Sequence, residues 1–213
     1  MSALLEAVLF DLDGTLIDSI ELIRRSYGHT LHVHGKGELD EARWLAGLGR
    51  PLRSQFEQLT EDAGEVEAMI RTYREWNARE HDALVRPYPG IAAALDVLRA
   101  RSLRLGVVTS KARAAAWHGL EHTGLAGYFD VLVGADDVQR HKPDPAPVCA
   151  ALEQLAVAPG AAAYVGDSPH DIASGRAAGT RTAAVLWGPF GRRHLVPERP
   201  DRWLETPAEI GAL

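Results

Sequence analysis

Asp11 and Asp13, two carboxylates two residues apart, stand at the end of the apolar run Val8-Leu9-Phe10 and are followed at once by Gly14. In a continuing strand the two would share one face. Adjacent carboxylates repel one another unless a cation lies between them, and Gly14 permits a tight turn beyond them. The pair therefore reads as a cation site at a strand end, the bland alternative being a solvated acidic turn. A calcium EF-hand fits poorly, since its glycine belongs at loop position six and a helix should precede it. Three further groups follow along the chain. Thr109 and Ser110 end the run Val107-Val108 with hydroxyls that could donate to phosphate oxygens, although Thr-Ser is also a common helix N-cap. Lys142 lies in His141-Lys142-Pro143-Asp144-Pro145, where flanking prolines would fix its approach, and Asp167 and Asp171 follow Val165-Gly166. Each group is weak alone; their convergence on one edge of a sheet is what would make a site.

The elements that must bring them together are legible as short apolar runs, at Ala7–Phe10, 103–109, Val131–Val133, 162–165 and 182–186. Segments with helix-period apolar residues alternate with them, at 90–101, 111–123, Pro145 to Leu155 and Pro169 to Ala178. Strand–helix alternation predicts an α/β fold, a parallel sheet with helices on both faces. Ligands in such sheets bind beyond the carboxyl ends of the strands. Residues 19–84 break the alternation, with helical stretches at 19–31, 38–45, 52–62 and 65–81 and no convincing strand. Arg86-Pro87-Tyr88-Pro89-Gly90 closes this block, which reads as an all-helical insertion after the first strand.

Composition narrows the function classes. The 213 residues suit one large domain or a core with a smaller insertion, and the hydrophobic share of 46% with 24% charged residues is that of an ordinary globular protein. A formal charge of −6 argues against a nucleic-acid surface. An acidic protein that binds phosphate must neutralise it locally with a metal, a lysine or backbone amides. Cys149 is the lone cysteine and can form no internal disulfide, which points to a cytoplasmic location. Residues 1–10 lack the basic start and the cleavage site of a secretory leader, and no run reaches the ~20 apolar residues of a membrane span.

In order and setting these residues resemble the haloacid dehalogenase-like superfamily, whose four motifs would spread from residue 11 to residue 171. Asp-x-Asp-Gly-Thr-Leu at 11–16 carries most of the resemblance. Asp18-Ser19 and Lys-Pro-Asp-Pro around Lys142 are similar to the phosphoglycolate phosphatase-like branch, and residues 10–31 to the pyrophosphatases of the same branch. The resemblance implies a Rossmann-like three-layer core at residues 1–16 and 87–213, with a helical cap at 17–86. It implies a magnesium-dependent phosphohydrolase with Asp11 as nucleophile and Asp13 as general acid and then base. Thr109, Ser110 and Lys142 would hold the phosphoryl group. Magnesium would sit on the carboxylates of Asp11 and Asp167 and on Asp13 through its backbone carbonyl, with Asp171 orienting Lys142 or a metal-bound water. To alternate between acid and base, Asp13 needs a pKa raised toward the operating pH.

Departures from related chemistries matter too. Dehalogenases of the family lack an acid where this chain has Asp13, and transport ATPases carry Lys where it has Leu12. Mutases use a histidine near the position of Ile23, although His29 lies within two turns of it. His170 replaces an asparagine expected in many phosphoglycolate phosphatases. The partner expected is a small phosphorylated metabolite, with neither nucleic acid nor membrane, for a monomer or homodimer. 2-Phosphoglycolate stands first as substrate, inorganic pyrophosphate second, and a non-catalytic phospholigand-binding protein is the reading from another class. In Gly47-Leu48-Gly49-Arg50, Arg50 either meets an anionic substrate tail from a cap loop or is a solvated arginine between two helices. His29, His32 and His34 fit no common zinc spacing. The five tryptophans read as packing residues, and Thr206 as the N-cap of a short terminal helix begun by Pro207.

Overall fold

A computed structural model describes residues 4–213; residues 1–3, the start of the segment weighed as a leader, lie outside the described residues. Six strands form a parallel sheet, in the spatial order β5-β4-β1-β6-β7-β8. They are β1 (Ala7–Phe10), β4 (Arg104–Val108), β5 (Val131–Val133), β6 (Ala162–Gly166), β7 (Arg181–Val185) and β8 (Arg202–Leu204). Every residue of the central strand β1 is 0% exposed, as a strand covered on both faces requires, which is why it reads as an unbroken apolar run. Its side chains alternate. Val8 and Phe10 enter one core cluster with residues of α5 (Ile91–Ala100) and α6 (Arg113–His122), whereas Ala7 and Leu9 enter another with α7 (Ala146–Leu155). Helix α8 (Pro169–Ala177) turns Ile172 toward Ala184 of β7.

The helical block leaves and rejoins the core through a small antiparallel pair, β2 (Ile17–Asp18) and β3 (Arg86–Pro87), with Ile17 opposite Pro87. Between them run α1 (Ile20–Val33), α2 (Glu41–Gly47), α3 (Leu52–Phe56) and α4 (Ala63–Leu84). Helix α4 buries Val66, Met69, Ile70, Asn77 and His81, a stripe at helical spacing that packs on α1. Phe56 is fully buried between Tyr27, stacked at 5.4 Å, and Tyr73, edge-on at 6.2 Å. Truncating a buried phenylalanine costs about 3–5 kcal/mol, so Phe56→Ala is the change that would loosen this block.

The departures from the sequence reading have local causes. The helix expected over 52–62 stops at Phe56, because Asp62 is itself an N-cap, accepting hydrogen bonds from the amides of Gly64 and Glu65. β2, β3 and β8 are too short to show periodicity; they exist through their partners. Trp117 is 41% exposed rather than packed. Its indole N–H donates to Glu121 one turn on, which keeps the ring on the helix surface. Thr206 precedes a 3-10 turn at Pro207–Ala212 without a side-chain cap bond to an amide. Among the described residues no helix is long and apolar enough to cross a membrane.

Candidate active site

The site lies beyond the carboxyl ends of β1, β4 and β6, where the parallel arrangement leaves the loops of neighbouring strands side by side. After Phe10 the chain turns sharply, with the amides of Thr15, Leu16 and Ile17 all donating to the carbonyl of Leu12. This turn separates the two carboxylates that a continuing strand would have aligned. Gly14 makes it possible: its φ is +88°, and a Cβ there would stand 2.9 Å from a carboxylate oxygen of Asp167.

Lys142 is the centre of charge. It is 4% exposed, and its Nζ donates to Asp11 Oδ1 at 2.7 Å and to Asp171 Oδ1 at 2.6 Å. The Tyr164 hydroxyl, also bonded to Asp171, lies 3.2 Å from the same nitrogen. The other oxygen of Asp171 accepts from the amide and hydroxyl of Ser168 at 3.0 and 2.6 Å, in a capping box that starts α8. Burial alone would raise the pKa of Asp171, but Lys142 and Ser168 bring it below the ordinary value. Asp171 is thus saturated with donors and anchors the lysine.

Asp11, Asp167 and Asp171 bring one carboxylate oxygen each within 4.8 Å of one another, all buried. One lysine cannot balance three carboxylates. Burial, with Asp171 adding to it, raises Asp11 to about 7 against the attraction of Lys142, and Asp167 is pushed well up for the same reasons. Among the described residues the Asp167 carboxylate accepts one hydrogen bond, from Thr15 Oγ1 at 2.9 Å. An excess of buried oxygen charge with spare lone pairs fits a hard divalent cation such as magnesium. The residues present therefore suit the metal implied by the resemblance.

The carboxylate of Asp13 does not join that cluster. Its Oδ1 accepts from Ser19 Oγ at 2.6 Å and from Lys111 Nζ at 2.8 Å. This corrects the expectation of a raised pKa: burial acts upward, but Lys111 and Ser19 outweigh it and hold Asp13 below the ordinary carboxylate value. A contribution of Asp13 to a metal is left to its backbone carbonyl. Lys111 went unremarked in the sequence, where it is one lysine at a helix start; its place directly after Thr109-Ser110 was the available signal.

Thr109 is buried at the end of β4, and its hydroxyl accepts from the amide of Lys111. Ser110, expected to face phosphate, donates its hydroxyl instead to the carbonyl of Gly49 at 2.6 Å. That bond brings the loop after α2 onto the core. Arg50 there lines a cavity of about 740 Å³ shared with Asp11, Asp13, Lys111 and Lys142. Its Nε lies 3.5 Å from His170 Nε2. Ile23 lines the same cavity, whereas His29 stacks on Trp76 and does not. His34 bonds to Thr72, and the three histidines of α1 and its end form no metal cluster among the described residues.

The sequence profile of the haloacid dehalogenase-like hydrolases matches residues 8–185. Among curated proteins, the pyrophosphatase PpaX of Bacillus pumilus is 42% identical over 209 residues, covering 98% of this chain and 96% of its own. Among solved structures, a haloacid dehalogenase-like family hydrolase of Streptococcus pneumoniae superposes with a TM-score of 0.84 at 25% identity, covering 98% of this chain and 97% of its own. A predicted phosphoglycolate phosphatase of Haemophilus somnus does so with a TM-score of 0.88, covering 97% and 96%; at 22% identity it speaks for the fold alone. With the profile spanning β1 to β7 and a relative this similar over almost the whole length, the chain belongs to the haloacid dehalogenase-like hydrolase family, as a phosphohydrolase.

Proposed function

We propose that the chain is a magnesium-dependent inorganic pyrophosphatase that works through an aspartyl-phosphate on Asp11. The observation that carries this reading is the 42% identity, across nearly the full length, to a protein named pyrophosphatase. It displaces 2-phosphoglycolate, first in the sequence reading, to second place. The state of Asp13 points the same way. A leaving phosphate is far less basic than a leaving alkoxide, so pyrophosphate needs less proton donation than a phosphate monoester does. An acid held ionised by Lys111 is poorly suited to the monoester and well suited to activating water in the second step.

Asp11 attacks the phosphorus, its oxygen–phosphorus bond forming as the bond to the leaving phosphate breaks. Lys142 holds Asp11 in place and balances charge on the transferred group, and Thr109 borders the phosphoryl position. Lys111 turns from Asp13 to the leaving phosphate and balances the charge that builds there, so that Asp13, already ionised, gives up no proton in this step. Asp13 then takes a proton from water, whose oxygen attacks the phosphorus and releases the Asp11 carboxylate. Magnesium, held by Asp11, Asp167 and the Asp13 carbonyl, would supply positive charge to the phosphoryl oxygens. Residues 17–86 serve as the cap, residues 1–16 and 87–213 as the core, and Arg50 brings a guanidinium to the distal phosphate.

The test is steady-state turnover of pyrophosphate, 2-phosphoglycolate and a neutral aryl phosphate with magnesium present. A kcat/KM for pyrophosphate roughly tenfold or more above both others is the expected result. Equal or better turnover of 2-phosphoglycolate would restore the phosphatase reading.

A further inference from the structure

Outside the carboxylate cluster, three imidazoles and one carboxylate gather where α4 returns to the core. Asp82 Oδ1 lies 2.9 Å from His81 Nδ1, 3.1 Å from His118 Nε2 and 3.5 Å from His122 Nδ1. His81 and Asp82 belong to the last turn of α4, and His118 and His122 are four residues apart on α6. The spacing puts the latter two on one face of that helix. The rings crowd together, with centroids 4.6 Å apart for His81 and His118 and 5.5 Å for His81 and His122.

Hydrogen bonding explains this assembly only in part. Asp82 Oδ1 is hydrogen-bonded to His81 and His118, whereas His122 stands off at 3.5 Å. His81 is also 2% exposed, and its Nε2 is buried with no hydrogen-bond partner among the described residues. That nitrogen faces α6, where a Cβ built on Gly119 would stand 3.5 Å away. The nitrogen that meets Asp82 is Nδ1, which presents its lone pair for ligation in the tautomer that carries the proton on Nε2.

The distances fit a metal. In a tetrahedral zinc site with bonds of ~2.0–2.1 Å, neighbouring ligand atoms stand roughly 3.3 Å apart, and the separations of 2.9 and 3.1 Å from Asp82 to His81 and His118 need open only slightly to admit an ion. One donor atom each from His81, Asp82 and His118 already lies within 4.8 Å of the other two. We propose that His81, Asp82 and His118 form a second metal site, selective for a borderline transition ion of the zinc class, with His122 steadying the Asp82 carboxylate. Two nitrogens and one oxygen favour such an ion over magnesium, which takes oxygen donors and keeps its waters. The site is therefore chemically separate from the carboxylate cluster. His81 and His118 also line the cavity that holds Asp11. An ion joining α4 to α6 ties the helical block to the core along one wall of that cavity.

Cobalt(II) reports the site directly, because four-coordinate cobalt absorbs visible light far more strongly than the hexaaqua ion. The metal-free full chain is titrated with cobalt in excess magnesium, and zinc is then added. The expected result is a saturable visible band at one ion per chain that zinc abolishes. Asp11→Asn should retain the band, and the half-exposed substitution His118→Ala should weaken binding by roughly tenfold or more. His118→Gln should not restore it, as an amide is a poor ligand for this ion. The proposal is overturned if wild type develops no such band, if His118→Ala binds as well as wild type, or if Asp11→Asn loses the band. The last outcome would put the ion on the carboxylate cluster.

Discussion

Lys142→Met removes the one cation between Asp11 and Asp171 while keeping an unbranched side chain of similar length. Wild-type Lys142 makes charge-assisted bonds of 2.7 and 2.6 Å to these two carboxylates, at side-chain exposures of 2%, 10% and 1%. Removing one partner of a buried ion pair leaves charge uncompensated and costs about 3–5 kcal/mol. For a chain of this length each kcal/mol moves the midpoint by about 2–4 °C, so the loss in Tm should lie at roughly 6–20 °C. The pH dependence follows from linkage. Without the lysine no cation opposes the burial of Asp11, so its folded pKa stands further above its unfolded one. Such groups stabilise fully below the unfolded pKa, and that stability is lost as pH rises through the folded value. The deficit against wild type should therefore be larger at about pH 8 than at about pH 5. Urea unfolding followed by circular dichroism at both pH values measures it. A second comparison uses Asp171→Asn, since the double variant should cost less than the sum of the two single ones. A deficit under about 1 kcal/mol, or one independent of pH, would refute the view that Lys142 holds this cluster together.

Asp11→Asn should lower pyrophosphate turnover roughly a thousandfold or more with an unchanged far-ultraviolet spectrum; turnover within tenfold of wild type excludes Asp11 as nucleophile. Magnesium should raise Tm more at about pH 8 than at about pH 5: Asp11 is lifted from 3.8 to about 7 without metal, so the metal-free protein loses stability across that window, and a cation that binds the ionised form restores it. A magnesium effect equal at both pH values, seen by scanning calorimetry, would count against Asp11 as a ligand. Gly188→Ala would set a Cβ 2.5 Å from the Asp167 Cβ and 2.8 Å from the Gly14 carbonyl. It should cost about 1–3 kcal/mol in stability and weaken magnesium activation, and an unaltered magnesium titration would show that the Asp167 loop yields freely. Arg50→Ala should lose about 1.5–3 kcal/mol in kcat/KM on pyrophosphate and much less on a neutral aryl phosphate; equal losses on both would remove Arg50 from substrate recognition.

Much of this protein is legible in its amino-acid sequence. The strands β1, β4, β5, β6 and β7 and the helices between them declare themselves through local periodicity, and the motif residues mark the strand ends where a parallel sheet exposes its loops. That Asp11, Lys142, Asp167 and Asp171 would converge follows from topology alone, because adjacent parallel strands end on the same edge. What each of them touches does not follow. The capture of Asp13 by Lys111, the diversion of the Ser110 hydroxyl to Gly49, and the shared seat of Lys142 against Tyr164 depend on side chains far apart in the chain. The small pair β2 and β3 and the edge strand β8 exist only through partners, and runs of two or three residues carry no period of their own. The histidines show the same limit. His29, His32 and His34 are conspicuous together in sequence yet form no metal cluster among the described residues, whereas His81, His118 and His122 meet because α4 ends against α6. Spacing along a helix decides which residues share its face; which second helix that face meets is decided by the packing of the whole chain.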